Sequence, residues 1–101
     1  MNKITQFRLT CHIVSACFRI NQIRIGSIQP LIADFQQFGE SGGSISITIH
    51  SHKRPVGNIA AQRKAALFDK YIDLTGDNAE RELIDAIATL EAFASDKEIA
   101  A

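Results

Sequence analysis

A chain of 101 residues, 46% apolar and 22% charged with no net charge, holds enough apolar side chains for one modest core and is too hydrophobic for a disordered polymer. Its longest apolar stretch without a charge, about 9–18, is interrupted by Thr10, His12 and Ser15, which is too polar for a membrane span, and it lies between Arg8 and Arg19, which is unlike a secretory leader. The expectation is a single cytoplasmic domain over 1–101, with an ordered core at about 4–94 and a short polar tail at 95–101.

The first segment, 7–14, sets Phe7, Leu9, Cys11 and Ile13 against Arg8, Thr10 and His12, and period two predicts a half-buried strand. A second alternation, at Phe18 and Ile20 and again at Ile23 and Ile25, predicts one or two strands in this region. On an extended chain Cys11 and Cys17 stand roughly 20 Å apart, beyond disulfide reach, and both are expected to be buried and chemically idle thiols. Over 27–39 the period changes. Ile28, Leu31, Ile32, Phe35 and Phe38 share a helical face, Ser27 is placed to cap it, Pro30 fits its first turn and Gly39 its end, so a short amphipathic helix is predicted.

Glu40 to Gly43 read as a flexible turn, and Ile45, Ile47 and Ile49 as the inward side of a strand. Asn58 then caps a predicted helix to about Leu74, with Ala61, Ala65, Phe68 and Ile72 along its stripe. Asp77 and Glu80 have capping-box spacing and open a last helix that buries Leu83, Ile87, Leu90 and Ala94. The order β(β)-α-β-α-α places the chain in the α+β class, a short sheet packed by amphipathic helices, without repeats or low-complexity linkers.

Chemistry is thinly signalled. His50 and His52 point the same way on a strand, but no CxxC, HxxxH or HExxH spacing accompanies them, so no metal and no cofactor are expected. No nucleophile sits in a recognisable signature such as a GxSxG elbow, and Glu82 and Asp85, a conceivable carboxylate pair, belong to the exposed side of a helix; no catalytic residue and no enzyme activity are expected. The GESGGS turn lacks the continuation of a phosphate loop and precedes a strand.

Charge is distributed unevenly. Lys3, Arg8, Arg19, Arg24, Lys53, Arg54, Arg63, Lys64 and Lys70 face only Asp34, Glu40 and Asp69 up to residue 70, whereas Asp73, Asp77, Glu80, Glu82, Asp85, Glu91, Asp96 and Glu98 face only Arg81 and Lys97 beyond it. Two binding functions follow. An acidic late helix, with Glu80, Glu82, Asp85 and Glu91 as contact residues, suits a small non-enzymatic module of inhibitor, immunity or phage and plasmid accessory type that engages a basic protein surface. The alternative is a nucleic-acid-binding regulator using Lys53, Arg54, Arg63, Lys64, His50 and His52, the first two placed just before a helix N-terminus.

The strand–helix–helix order over 44–94 resembles the ribbon-helix-helix DNA-binding pattern in outline. That resemblance implies Ser44, Ser46, Thr48 and His50 as outward side chains of a paired ribbon, with Arg63 and Lys64 near phosphates. The aromatic side chains all fall on expected apolar faces, which leaves no stacking platform for bases. Self-association is a further possibility, with the basic half of one chain meeting the acidic helix of another and the 45–49 strand pairing across a dimer axis. No membrane contact is expected.

Overall fold

The computed structural model describes the backbone of residues 1–39, 43–52 and 58–100, and the side chains of these except residues 59, 62, 63 and 96–100. The element order is α1 (Lys3–Gln22), β1 (Leu31–Phe38), β2 (Ser44–Ser51), the short α2 (Ile59–Lys64), β3 (Phe68–Asp73) and α3 (Ala79–Ala100). The chain is a small α+β domain: a three-stranded antiparallel sheet in the order β1-β2-β3, with the two long helices packed against each other on one side of it.

Alternation in the strands and helical periodicity in α1 and α3 meet in one core. Ile13, Ala16, Cys17 and Ile20 of α1 and Leu83, Ala86, Ile87 and Leu90 of α3 close over Leu31 and Ala33 of β1, Ile45, Ile47 and Ile49 of β2 and Ile72 of β3. The registers Ala33↔Ile49 and Ile45↔Ile72 put these strand residues on the same face. The opposite face carries Asp34, Thr48 and Asp69 in one row and Gln36, Ser46 and Tyr71 in the next.

Three sequence expectations are overturned, each for a definable reason. Residues 7–14, and the Phe18–Ile20 alternation expected as a further strand, belong to one helix, because α1 has apolar side chains on two sides, and Ile23 and Ile25 follow it with only an isolated bridge from Ile25 to Ile28 among the described residues. Ile13, Ala16 and Ile20 face the core while Phe7, Cys11, Val14 and Phe18 face away, and the two stripes read together mimic period two. Asn2 caps this helix, its Oδ1 accepting from the Thr5 amide at 2.8 Å. Residues 31–38 form a strand and not a helix. Leu31, Ala33 and Phe35 point to the core layer and Ile32 and Phe38 to the other face, and their union imitates a helical face.

The helix expected from Asn58 to Leu74 stops at Lys64. Asn58 does cap it, accepting from the Ala61 amide at 2.7 Å, but Phe68 and Ile72 then lie on β3. A separation of four residues puts side chains on one side in either conformation, so this pair could not discriminate. The observed order is therefore α-β-β-α-β-α. The strand at 44–51 and the last helix stand as expected in place. The helix starts at Ala79, so Asn78 precedes its first residue and Asp77 lies in the turn before it, and it runs to Ala100, through most of the expected tail. Gly39 and Gly43, at φ 89° and 40°, flank the β1–β2 turn, whose residues 40–42 lie outside the described residues.

Candidate docking groove

The outer stripe of α1 has no counterpart within the fold. Ile4, Phe7, Cys11, Val14 and Phe18 recur at alternating separations of three and four, which stacks them along one line of the helix. Phe7 is 70% exposed and Phe18 64% exposed, and Ile4 and Val14 are exposed as well. On the sheet side the stripe meets half-buried Phe35 and exposed Gln37 of β1, and the two elements enclose an apolar groove of about 990 Å³. Lys3 stands at its rim and Thr10 and Ser15 along it.

The second wall is the open edge of the sheet, since among the described residues β1 pairs only with β2. At Ala33 both main-chain groups turn to this edge and are satisfied by one side chain. The Ala33 amide donates to Asn21 Oδ1 at 2.8 Å, and Asn21 Nδ2 donates to the Ala33 carbonyl at 2.9 Å. Asn21, at the end of α1, thus imitates a pairing strand for one residue. Gln29 Nε2 donates to the Leu31 carbonyl at 3.0 Å and to Asn21 Oδ1 at 3.2 Å, which seals the next position. Because every second residue of a strand turns its main-chain groups the same way, Phe35 and Gln37 also present theirs to the open edge, within the groove.

The described sequence-derived site residues fall outside the groove. Glu80 and Asp85 are exposed on the first turns of α3 with Glu82 half-buried between them. Glu91 is engaged by the protein itself. Its Oε1 accepts from Arg19 and lies 3.1 Å from His12 Nε2, and the Arg19 hydrogen bond chiefly, helped by His12, holds the carboxyl below its ordinary range. Lys64 is exposed at the end of α2, His52 is exposed just after β2, and the side chain of Arg63 and all of Lys53 and Arg54 lie outside the described residues. His50 is on the face away from the helices, as the alternation implies, but only 4% exposed. Among the described residues no group of three or more metal-ligating side chains exists, and no helix is long and apolar enough to cross a membrane.

Several expectations tied to these residues change. β2 is paired on both sides, so the 44–50 segment can form neither a two-chain ribbon nor a strand pairing across a dimer axis. Cys17 is buried, and burial, with repulsion from Asp34, pushes its thiol up to about 11, but Cys11 is exposed in the groove. Phe7, Phe18 and Phe38 are exposed and not core residues. The open face of the sheet bears Asp34, Asp69 and Asp73 beside Tyr71, whose hydroxyl donates to Ser44 Oγ at 2.7 Å. The groove escaped sequence reading, although the 4-7-11-14-18 spacing was available to signal a second helical stripe.

No protein family model, curated protein or solved structure matches this chain.

Proposed function

We propose that the chain is a non-enzymatic protein-binding module whose principal contact surface is the groove between α1 and the edge of β1. The observation that carries this reading is the exposed apolar stripe of α1. Ile4, Phe7, Val14 and Phe18 each leave about half or more of their surface to solvent, on the order of 400 Å² in all from typical side-chain sizes, a patch at the scale that marks interaction sites on soluble domains. None of these four side chains belongs to the core, so the fold does not require them to be apolar. The acidic start of α3, with Glu80, Glu82 and Asp85, lies apart from the groove and serves this reading as a steering surface for a basic partner. The nucleic-acid alternative draws no support from the exposed sheet face, where Asp34, Asp69 and Asp73 would repel phosphates.

A double variant, Phe7→Ser with Phe18→Ser, tests the principal surface. It should keep a folded far-ultraviolet circular dichroism spectrum and lose binding of an anionic naphthalenesulfonate dye that fluoresces on apolar surfaces. Loss of the folded spectrum would place these side chains in the core and reject the reading. Alanine at Glu82 and Asp85 should weaken salt-dependent binding to polylysine without unfolding the domain; unchanged binding would remove the steering role.

A further inference from the structure

We infer that the groove is occupied by a second copy of this chain, related by a two-fold axis that passes beside Cys11, so that β1 pairs antiparallel with β1 of its partner and α1 packs antiparallel on α1 of its partner. This rests on the reading of the groove as a docking surface and names its occupant.

The arrangement is written in the spacing of two elements that share an origin. Asn21 of α1 is hydrogen-bonded to Ala33 of β1, and the two elements run from that point side by side along the groove. Ten residues back along α1, at about 1.5 Å each, is Cys11, about 15 Å away. Four residues along β1, at about 3.3 Å each, is Gln37, about 13 Å away. An axis set by pairing Phe35 opposite Gln37 passes at Gln36, about 10 Å along β1 and so within one helical turn of the height of Cys11, and a single axis can serve both. The stripe is itself symmetric about Cys11: Ile4 and Phe18 are seven residues to either side, and Phe7 and Val14 are four and three. An isologous contact demands such self-complementarity.

The strand edge makes the same demand. Asn21 and Gln29 close the edge at Leu31 and Ala33, which leaves Phe35 and Gln37 with main-chain donors and acceptors directed outward. An antiparallel partner strand that sets Phe35 opposite Gln37 satisfies both residues on both chains and stops where the side-chain seal begins. A sheet of six strands results, with no apolar edge left in the groove.

Charge selects the direction. Arg8 flanks the N-terminal half of the stripe, and Arg19, which Glu91 engages, flanks the other half. A parallel pair would bring Arg8 against Arg8, whereas the antiparallel pair sets Arg8 against the half whose arginine is already paired with Glu91. The apolar area, on the order of 400 Å² per copy, is about what the nonpolar share of a standard interface of roughly 800 Å² per partner requires. Both acidic α3 starts stay outside the contact, so a dimer presents two of them.

The test combines sedimentation velocity over 1–100 μM with cross-linking by a short bismaleimide. The wild type should sediment as a dimer and give covalent dimers that disappear in Cys11→Ser. Val14→Glu, at an exposed position in the stripe, should sediment as a folded monomer. Gln37→Pro removes one edge amide without touching α1 and should weaken dimerisation at least tenfold. A dimer that Val14→Glu and Gln37→Pro leave intact, or one in which Cys11 fails to cross-link, would overturn the assignment. A wild type that is monomeric throughout would also overturn it, and the dye then separates the two levels of inference. Dye bound by that monomer and lost in Val14→Glu would retain the groove as a docking surface for another occupant, while no dye binding would reject both.

Discussion

Asn21 carries more of the fold than its polar, half-buried position suggests. Its amide closes the open edge of β1 at Ala33 and ties the end of α1 to the sheet, so replacing it perturbs a helix–sheet joint and a strand edge together. Asn21→Ala deletes two hydrogen bonds to part-buried main chain and a third from Gln29. At about 1 kcal/mol for each main-chain bond, and more where the group left behind stays dry, the loss is about 2–3 kcal/mol. For a domain of this length that is a fall in Tm of roughly 10–20 °C. Asn21→Asp is the sharper probe. It keeps the acceptor for the Ala33 amide but sets a carboxylate oxygen against the Ala33 carbonyl, where Asn21 Nδ2 now lies at 2.9 Å. Ionised, it should be at least as destabilising as alanine. Protonated, it regains a donor, so its deficit relative to wild type should shrink as the pH falls from neutrality towards about 4, the unfolded value, and level off below it. Urea unfolding at fixed protein concentration between pH 3.5 and 7 measures both. An alanine variant within about 0.5 kcal/mol of wild type, or an aspartate variant whose deficit does not change with pH, would refute the account of this joint.

Other consequences are more local. Gly43 holds φ 40°, and a Cβ there would stand 1.7 Å from the Phe38 carbonyl oxygen, so Gly43→Ala should force Gly43 and Phe38 apart and cost at least about 2 kcal/mol in urea unfolding; a neutral result would contradict this close approach. Cys17, with its thiol pushed up to about 11, should resist iodoacetamide at pH 8 in the folded protein and react only on unfolding, as mass spectrometry of the labelled chain would record. Glu91 stabilises the fold in the direction set by its lowered pKa. Its contribution is fully present above the ordinary carboxyl value of 4.5 and is lost as the pH falls through the lower folded value. Arg19 is 43% exposed, so screening limits the effect to less than about 1 kcal/mol. Wild type and Glu91→Gln should therefore differ slightly at neutral pH and converge in acid, and a gap that widened in acid would show the sign to be wrong.

How much of this fold the sequence discloses depends on whether a segment buries one side or two. β2 buries Ile45, Ile47 and Ile49 on one side and keeps Ser46 and Thr48 on the other, and α3 places Leu83, Ile87 and Leu90 along one stripe. Each therefore announces its period, and each is legible. α1 and β1 are not, because their second sides are apolar as well. Phe7 and Cys11 interleave with Leu9 and Ile13 into a false strand, and Ile32 and Phe38 interleave with Leu31 and Phe35 into a false helix. β3 is too short to show a period, and Phe68 and Ile72 are spaced for either state. Asn21, which decides how α1 meets β1, has no local signature at all, since its side-chain partners Gln29 and Ala33 are eight and twelve residues away.

The misread segments and the candidate site are the same residues, and this follows from their chemistry. An element that only supports a core has no reason to be apolar on its solvent side, so its periodicity stays clean. An element that must also meet a partner carries a second apolar side, and the two sets of residues blur each other in sequence while separating in space. On α1 the second set, Ile4, Phe7, Cys11, Val14 and Phe18, has the three-and-four spacing of a helix that packs on another helix, and on β1 it is joined by two residues with main-chain groups directed outward. The charged side chains show the complementary pattern. Glu91, Arg19 and His12 are spent on one another across α1 and α3, and the acidic start of α3 stays exposed, as a surface that guides an approach without being consumed by the fold. Apolar area that the core does not use, located between an unpaired strand edge and a self-symmetric helix, is thus the feature of this chain that most needs a partner.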